Sequence, residues 1–172
     1  MFLWVALLVV VCVVGVFGFG GYGGQSLGGG LRRDDRVAVV RGLAALAAAL
    51  ALGAYGWGLS GVGGAVLEAE DGGTGSAPLR PCRAEGWERE AAAVVGYRVR
   101  WVPLEVVCET SDGGSYGSGD VPAYVNPLVF VFGVAAAGGA LSSAYVGELR
   151  ARQRRRAGYA AGVSSGTPNR RA

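Results

Sequence analysis

Three stretches of this chain carry no charge, and each is long enough to cross a lipid bilayer. They cover residues 1–31, 42–67 and 121–147. A hydrocarbon core of about 30 Å takes about 20 apolar residues at 1.5 Å rise each. The first run is densest at Phe2, Leu3, Trp4, Val5 and the valine-rich segment up to Val14. Valine is a mediocre helix former in water. In lipid the backbone must satisfy its own polar groups, so a helix is the only single-segment solution. A soluble helix would show a polar face at 3.6 spacing, and these runs show none. The sequence predicts an all-α membrane fold of three transmembrane helices. The expected segments are a helix at 1–24, a basic loop at 25–41, a helix at 42–64, a loop at 65–124, a helix at 125–149 and a basic disordered tail at 150–172. The 65–124 loop is expected to hold a small disulfide-stapled β-hairpin.

Charge placement predicts which way the helices run. All 16 basic residues are arginine, so histidine and lysine are both absent. The first connection carries Arg32, Arg33, Arg36 and Arg41 against Asp34 and Asp35, a net +2. The long loop from Glu68 is net −5, and the tail from Glu148 is net +6. Arginines collect on the cytoplasmic side of spans. The expected topology is therefore N-terminus outside, first loop and tail inside, and the acidic loop outside, in a bacterial plasma membrane. The first run lacks the basic start of a cleaved signal peptide, and Val11 before Cys12 is not the small residue of a lipoprotein site, so it is read as a retained span. The Arg150-Ala151-Arg152-Gln153-Arg154-Arg155-Arg156 cluster is read as a topology signal with attraction to anionic lipid, not as a nucleic-acid site.

Composition also removes chemistries. Without histidine or lysine there is no imidazole base or ligand, no Schiff-base amine and no phosphate-loop lysine. No acid or base sits inside a run, which argues against a proton or ion pathway within one copy. No nucleophile, base and orienting group stand out together. The expectation is a non-enzymatic protein without cofactor or metal.

The long loop holds the remaining signals. Cys82 and Cys108 fall outside by arginine counting, where disulfides persist, and are expected to pair. Closing that loop contributes about 3–4 kcal/mol on chain-entropy grounds. Cys12, inside the first run, is read as an apolar filler. Tyr97, Val99 and Trp101 alternate with Arg98 and Arg100, a period of two that predicts a strand. A hairpin turning at Pro103-Leu104 would set Arg98 opposite Glu109 and Val99 opposite Cys108. Asp112-Gly113-Gly114 reads as a second turn leading to Ser115 and Tyr116. Trp87, Tyr97 and Trp101 form a candidate partner surface. Asn126 followed by Pro127 reads as an N-cap and first helical position.

Small residues recur at every fourth position: Gly56, Ser60 and Gly64 in the second run, and Ala135, Gly139, Ser143 and Gly147 in the third. Such stripes let helix backbones approach, and they are the candidate helix-packing residues.

The segment from Tyr97 to Cys108, the following Val125-Asn126-Pro127 and the final apolar run together resemble small uncharacterised integral membrane proteins of high-GC actinobacteria, with three spans and an extracytoplasmic two-cysteine loop. The resemblance covers about the last half of the chain and implies no activity. The leading expectation is a protein acting through contacts of its outer loop and spans, its partners being the lipid bilayer and either a second copy or another membrane protein. The alternative is an oligomeric permeation or carrier subunit for a small molecule.

Overall fold

A computed structural model describes residues 2–71, 82–83 and 91–165. Three long helices and one small sheet make up these residues: α1 (Phe2–Arg33), α2 (Arg36–Asp71), β1 (Val94–Trp101), β2 (Leu104–Thr110), β3 (Ser115–Gly117) and α3 (Val125–Ser165). Each helix contains a segment long and apolar enough to cross a membrane. At 1.5 Å per residue they measure about 48, 54 and 62 Å. All three therefore extend past the uncharged runs, and the expected loop at 25–41 is almost entirely helix.

Only Asp34 and Asp35 interrupt α1 and α2. Asp34 takes a left-handed conformation (φ 52°), which aspartate tolerates better than most residues. The Asp35 N–H donates to the Gly30 carbonyl at 2.9 Å, a Schellman-type closure of α1. Its carboxylate accepts from the Val37 N–H at 3.0 Å and so caps α2. Two residues reverse the chain, and α1 and α2 pack antiparallel along their length.

That packing rests on small residues spaced by seven. On α2, Gly42 lies against the Leu27 backbone and the Gly23 carbonyl, Ala49 is buried, Gly56 meets Cys12, and Gly63 meets Val5. The expected stripe at spacing four is not the one in contact. Gly56 belongs to the seam, but Ser60 is exposed and Gly64 faces open space. Helix geometry explains the difference. A step of four overshoots a full turn by about 40°, so two steps leave the seam by about 80°, whereas a step of seven drifts by only about 20°.

The third helix runs along the other side of α2, also antiparallel. Gly139 packs on Ala44, and Val125 reaches Gly58. Gly139, Ser143 and Gly147 face this seam or its edge, with Ser143 buried, while Ala135 has rotated to the exposed side. Beyond Gly147 the helix continues through the arginine cluster to Ser165, where the sequence reading expected a disordered tail. Arginine and alanine are strong helix formers, and Arg152 bonds Glu148 one turn earlier at 2.9 Å. The α1–α2 turn and the arginine-bearing part of α3 share one end of the bundle, joined by Arg150 and Asp35 at 3.2 Å.

The sheet occupies the opposite end. Its order is β1-β2-β3, all antiparallel, with Cys82 bonded to Cys108. The expected hairpin register is two residues off. Tyr97, not Val99, lies opposite Cys108, and Arg98 lies opposite Val107, because the turn falls at Val102-Pro103. A shift of two keeps every side chain on its face. The Arg98–Glu109 pairing survives as a diagonal ion pair at 3.3 Å, and Arg100 meets Glu105 directly at 3.1 Å. The Asp112 turn stands as read, with Gly113 at φ 84° and the Thr110 N–H donating to the Gly114 carbonyl at 3.0 Å.

Candidate functional site: the sheet and its seat on the helices

Period two gives the sheet two unlike faces. The outward face carries the two Arg–Glu pairs. The inward face carries Val99, Leu104 and Val106 near the hairpin tip, and Cys108 and Tyr116 farther along. The tip half joins a core with Leu59, Val62 and Val66 of α2, whose other side meets Val5 of α1. The far half closes over the disulfide, where the Tyr116 hydroxyl donates to the Cys82 carbonyl at 2.6 Å. Tyr97 packs against both cores, and its burial pushes the phenol pKa up.

Specific polar contacts fasten the tip. The Asn126 side chain accepts from the Leu104 N–H at 2.8 Å and donates to the Leu104 carbonyl at 3.1 Å. The Tyr55 hydroxyl donates to the Trp101 carbonyl at 3.1 Å. Beside them the Trp57 indole N–H donates to the Tyr124 hydroxyl at 3.1 Å. Asn126 is therefore not the expected N-cap. The first helical bond of α3 runs from the Leu128 N–H to the Tyr124 carbonyl, one turn that begins before Asn126 and frees its amide for the hairpin. Pro127 still lies in the first turn, where a missing N–H costs nothing.

Glycines let the seat form. A Cβ on Gly58 would strike Leu104 and Val125, and one on Gly61 would strike the Asp120 carbonyl. The Asp120 carboxyl, partly desolvated beside the end of α2, has its pKa raised. The Asp112 carboxyl is held low by the Thr110 hydroxyl and then by the Gly114 N–H.

Of the expected partner surface, Tyr97 lies within the two cores. Trp101 is partly exposed, with its carbonyl engaged. Trp87 lies outside the described residues. The sequence reading missed Asn126, Tyr55 and Gly58 as fasteners. Their only signal was position: three residues at the sheet-side ends of α2 and α3, each unable to be explained by an apolar stripe. Among the described residues every buried side-chain polar atom has a partner, and no three carboxylates or thiols converge.

No protein family, curated protein or solved structure matches this chain.

Proposed function

We propose that the chain is an integral protein of a bacterial plasma membrane that holds a disulfide-closed sheet on the outer side and acts through protein contacts rather than catalysis. One observation carries the membrane part. The most apolar windows of α1, α2 and α3 have only 11%, 17% and 6% of their residues buried within the molecule. Leu3, Trp4, Phe17, Phe130 and Leu141 all point outward. Surface of that extent requires an apolar surrounding, and the bilayer supplies it. The arginines at the α1–α2 turn and along α3 favour placing that end in the cytoplasm and the sheet outside.

The contact role is supported by how the sheet is mounted. Its inner face is taken up by the helices and the disulfide, whereas on the other face the Arg98, Arg100, Glu105 and Glu109 side chains are exposed around a buried Val107. Fastening by Asn126 and Tyr55 presents that face rigidly, which lowers the entropic cost of docking.

Single cysteines and an impermeant thiol reagent on whole cells test the orientation. Ser118 is a poor reporter because it is only 7% exposed. Ser115→Cys on β3 and Tyr159→Cys on α3 are both exposed positions. With Cys12 replaced by serine, labelling at Ser115→Cys alone is expected. Labelling of Tyr159→Cys in intact cells would refute the orientation.

A further inference from the structure

At the end opposite the sheet, two depressions lie end to end along the α2–α3 seam. The first, about 260 Å³, is lined by Arg41, Arg150 and Arg154 together with Asp35. The second, about 470 Å³, is a slot floored by Ala44 and Ala48 of α2 and Ala137 and Ala140 of α3, with Phe19 and Tyr22 of α1 as its wall. Arg41 borders both. One depression is cationic and the other is almost wholly apolar.

Their depths match a lipid. After Arg41 no charged residue follows in α2 until Glu68, so one hydrocarbon boundary falls close to Arg41. The alanine slot then runs about 10 Å into the apolar layer, from Arg41 to Ala48. In the cleft three guanidinium groups face one carboxylate. Asp35 is taken by Arg150, and among the described residues neither Arg41 nor Arg154 has a carboxylate partner. A planar guanidinium binds phosphate oxygens in pairs. Arginines that serve only to orient a span need no shared cleft: Arg32, Arg33 and Arg36 add to the same count and line neither depression.

We infer that the α2–α3 seam binds one anionic phospholipid, with its phosphate at Arg41, Arg150 and Arg154 and an acyl chain along Ala44, Ala48, Ala137 and Ala140. The inference rests on reading the helices as membrane spans. Alanine is what makes room: larger side chains at these four positions would fill the slot.

The test uses the full chain in mild non-ionic detergent, with native mass spectrometry. Phosphatidylglycerol and phosphatidylcholine of identical acyl chains compete for it at equal concentration. One bound phosphatidylglycerol per chain is expected, with roughly thirtyfold preference, as two unmatched guanidinium groups near an anionic headgroup would give. Arg41→Gln with Arg154→Gln should bring the two lipids to parity. Arg155→Gln with Arg156→Gln, outside the cleft, should leave the preference intact. Ala137→Phe should reduce retention of both lipids, and this arm does not depend on the arginine variants folding. Equal retention by the unmodified chain overturns the site, as does an equal loss from the Arg155 and Arg156 pair, which would mean diffuse attraction. Displacement by inorganic phosphate would mean an anion site without an acyl slot and also overturns it. Alkaline carbonate extraction keeps the two readings apart. Release of the chain from membranes refutes the spans, whereas a chain that stays in the pellet yet shows no lipid preference refutes only the site.

Discussion

Gly23 and Gly42 bring the backbones of α1 and α2 together by having no side chain, and among the described residues no side-chain hydrogen bond crosses that seam. At the sheet end, contact depends on named polar partners: Asn126 on Leu104, Tyr55 on Trp101, Tyr116 on Cys82, and a covalent bond. The two regions should fail for different reasons. A seam of small residues tolerates a change of chemistry but not of volume. A polar seat tolerates slight changes of volume but not the loss of a partner, because the group left behind stays unsatisfied.

The largest separation between them should come from Cys108→Ser. Its bond to Cys82 closes a loop with a sequence separation of 26, worth about 3.5 kcal/mol on the chain-entropy estimate. Hydrogen exchange should speed up across β1 and β2, and proteolysis should rise at Arg98 and Arg100. Exchange in α1 and α2 should not change. Equal acceleration in the helices would mean that the regions are one cooperative unit and would end the comparison.

Next in size is Gly42→Val. Its new side chain would meet the Leu27 nitrogen at 2.8 Å and the Gly23 oxygen at 3.0 Å, both backbone atoms that cannot rotate away. Overpacking of this kind costs about 1–3 kcal/mol. Thermal unfolding in detergent should show the loss, while Gly64→Val, which enters open space, should show none. A loss of similar size from Gly64→Val would restore the spacing-four stripe as the packing surface.

How far the sequence reveals this molecule follows from the same contrast. The three helices, the paired cysteines and the alternating strand are legible because they depend on hydrophobic length, redox location and period two, all one-dimensional signals. The register is not, because a shift of two leaves the pattern of Tyr97, Val99 and Trp101 unchanged. The choice between Gly64 and Gly63 is not legible either. It depends on the crossing of two helices, and glycine occurs at both positions. Asn126 illustrates a third limit: beside Pro127 it fits a cap by every local rule, and only the hairpin brought next to it gives its amide another use. The Asp34-Asp35 turn was open to local reading, since a capping aspartate before Arg36 and Val37 is a helix-start signal.

A smaller effect is expected from Asn126→Ala. It removes both bonds to Leu104 and strands a half-buried N–H, at about 1–2 kcal/mol. The exchange rate of the Leu104 amide should rise more than that of Val106 or Cys108, because the disulfide still holds the far half of the sheet. Asn126→Asp keeps the acceptor and should fall between the two. No change at Leu104 in Asn126→Ala would remove the polar seat from the comparison and leave apolar burial to hold the hairpin.

The smallest effect is one of pH, and it separates the two seams of α2. The Arg150 side chain, and then the Val37 N–H, hold the Asp35 carboxyl below the usual carboxylate range. A lowered folded pKa contributes stability that is fully present above the ordinary aspartate value of about 3.9 and is lost as pH falls through the folded value. Nothing should therefore change between neutrality and about pH 5. In stronger acid the α2–α3 contact at the basic end should loosen. The pair is solvent-exposed, so the change should be slight and should shrink further in high salt. Spin labels at Leu43 of α2 and Leu149 of α3, both exposed, with Cys12 replaced by serine, would read it as a broadened distance distribution in acid that Asp35→Asn already shows at neutral pH. The α1–α2 seam has no carboxylate between Val5 and Gly30, so a label pair across it should keep its distance as the pH falls, for as long as the helices remain folded. Broadening there in step with the Asp35 contact would mean that the inter-helix turn, rather than the glycine contacts, holds α1 in place.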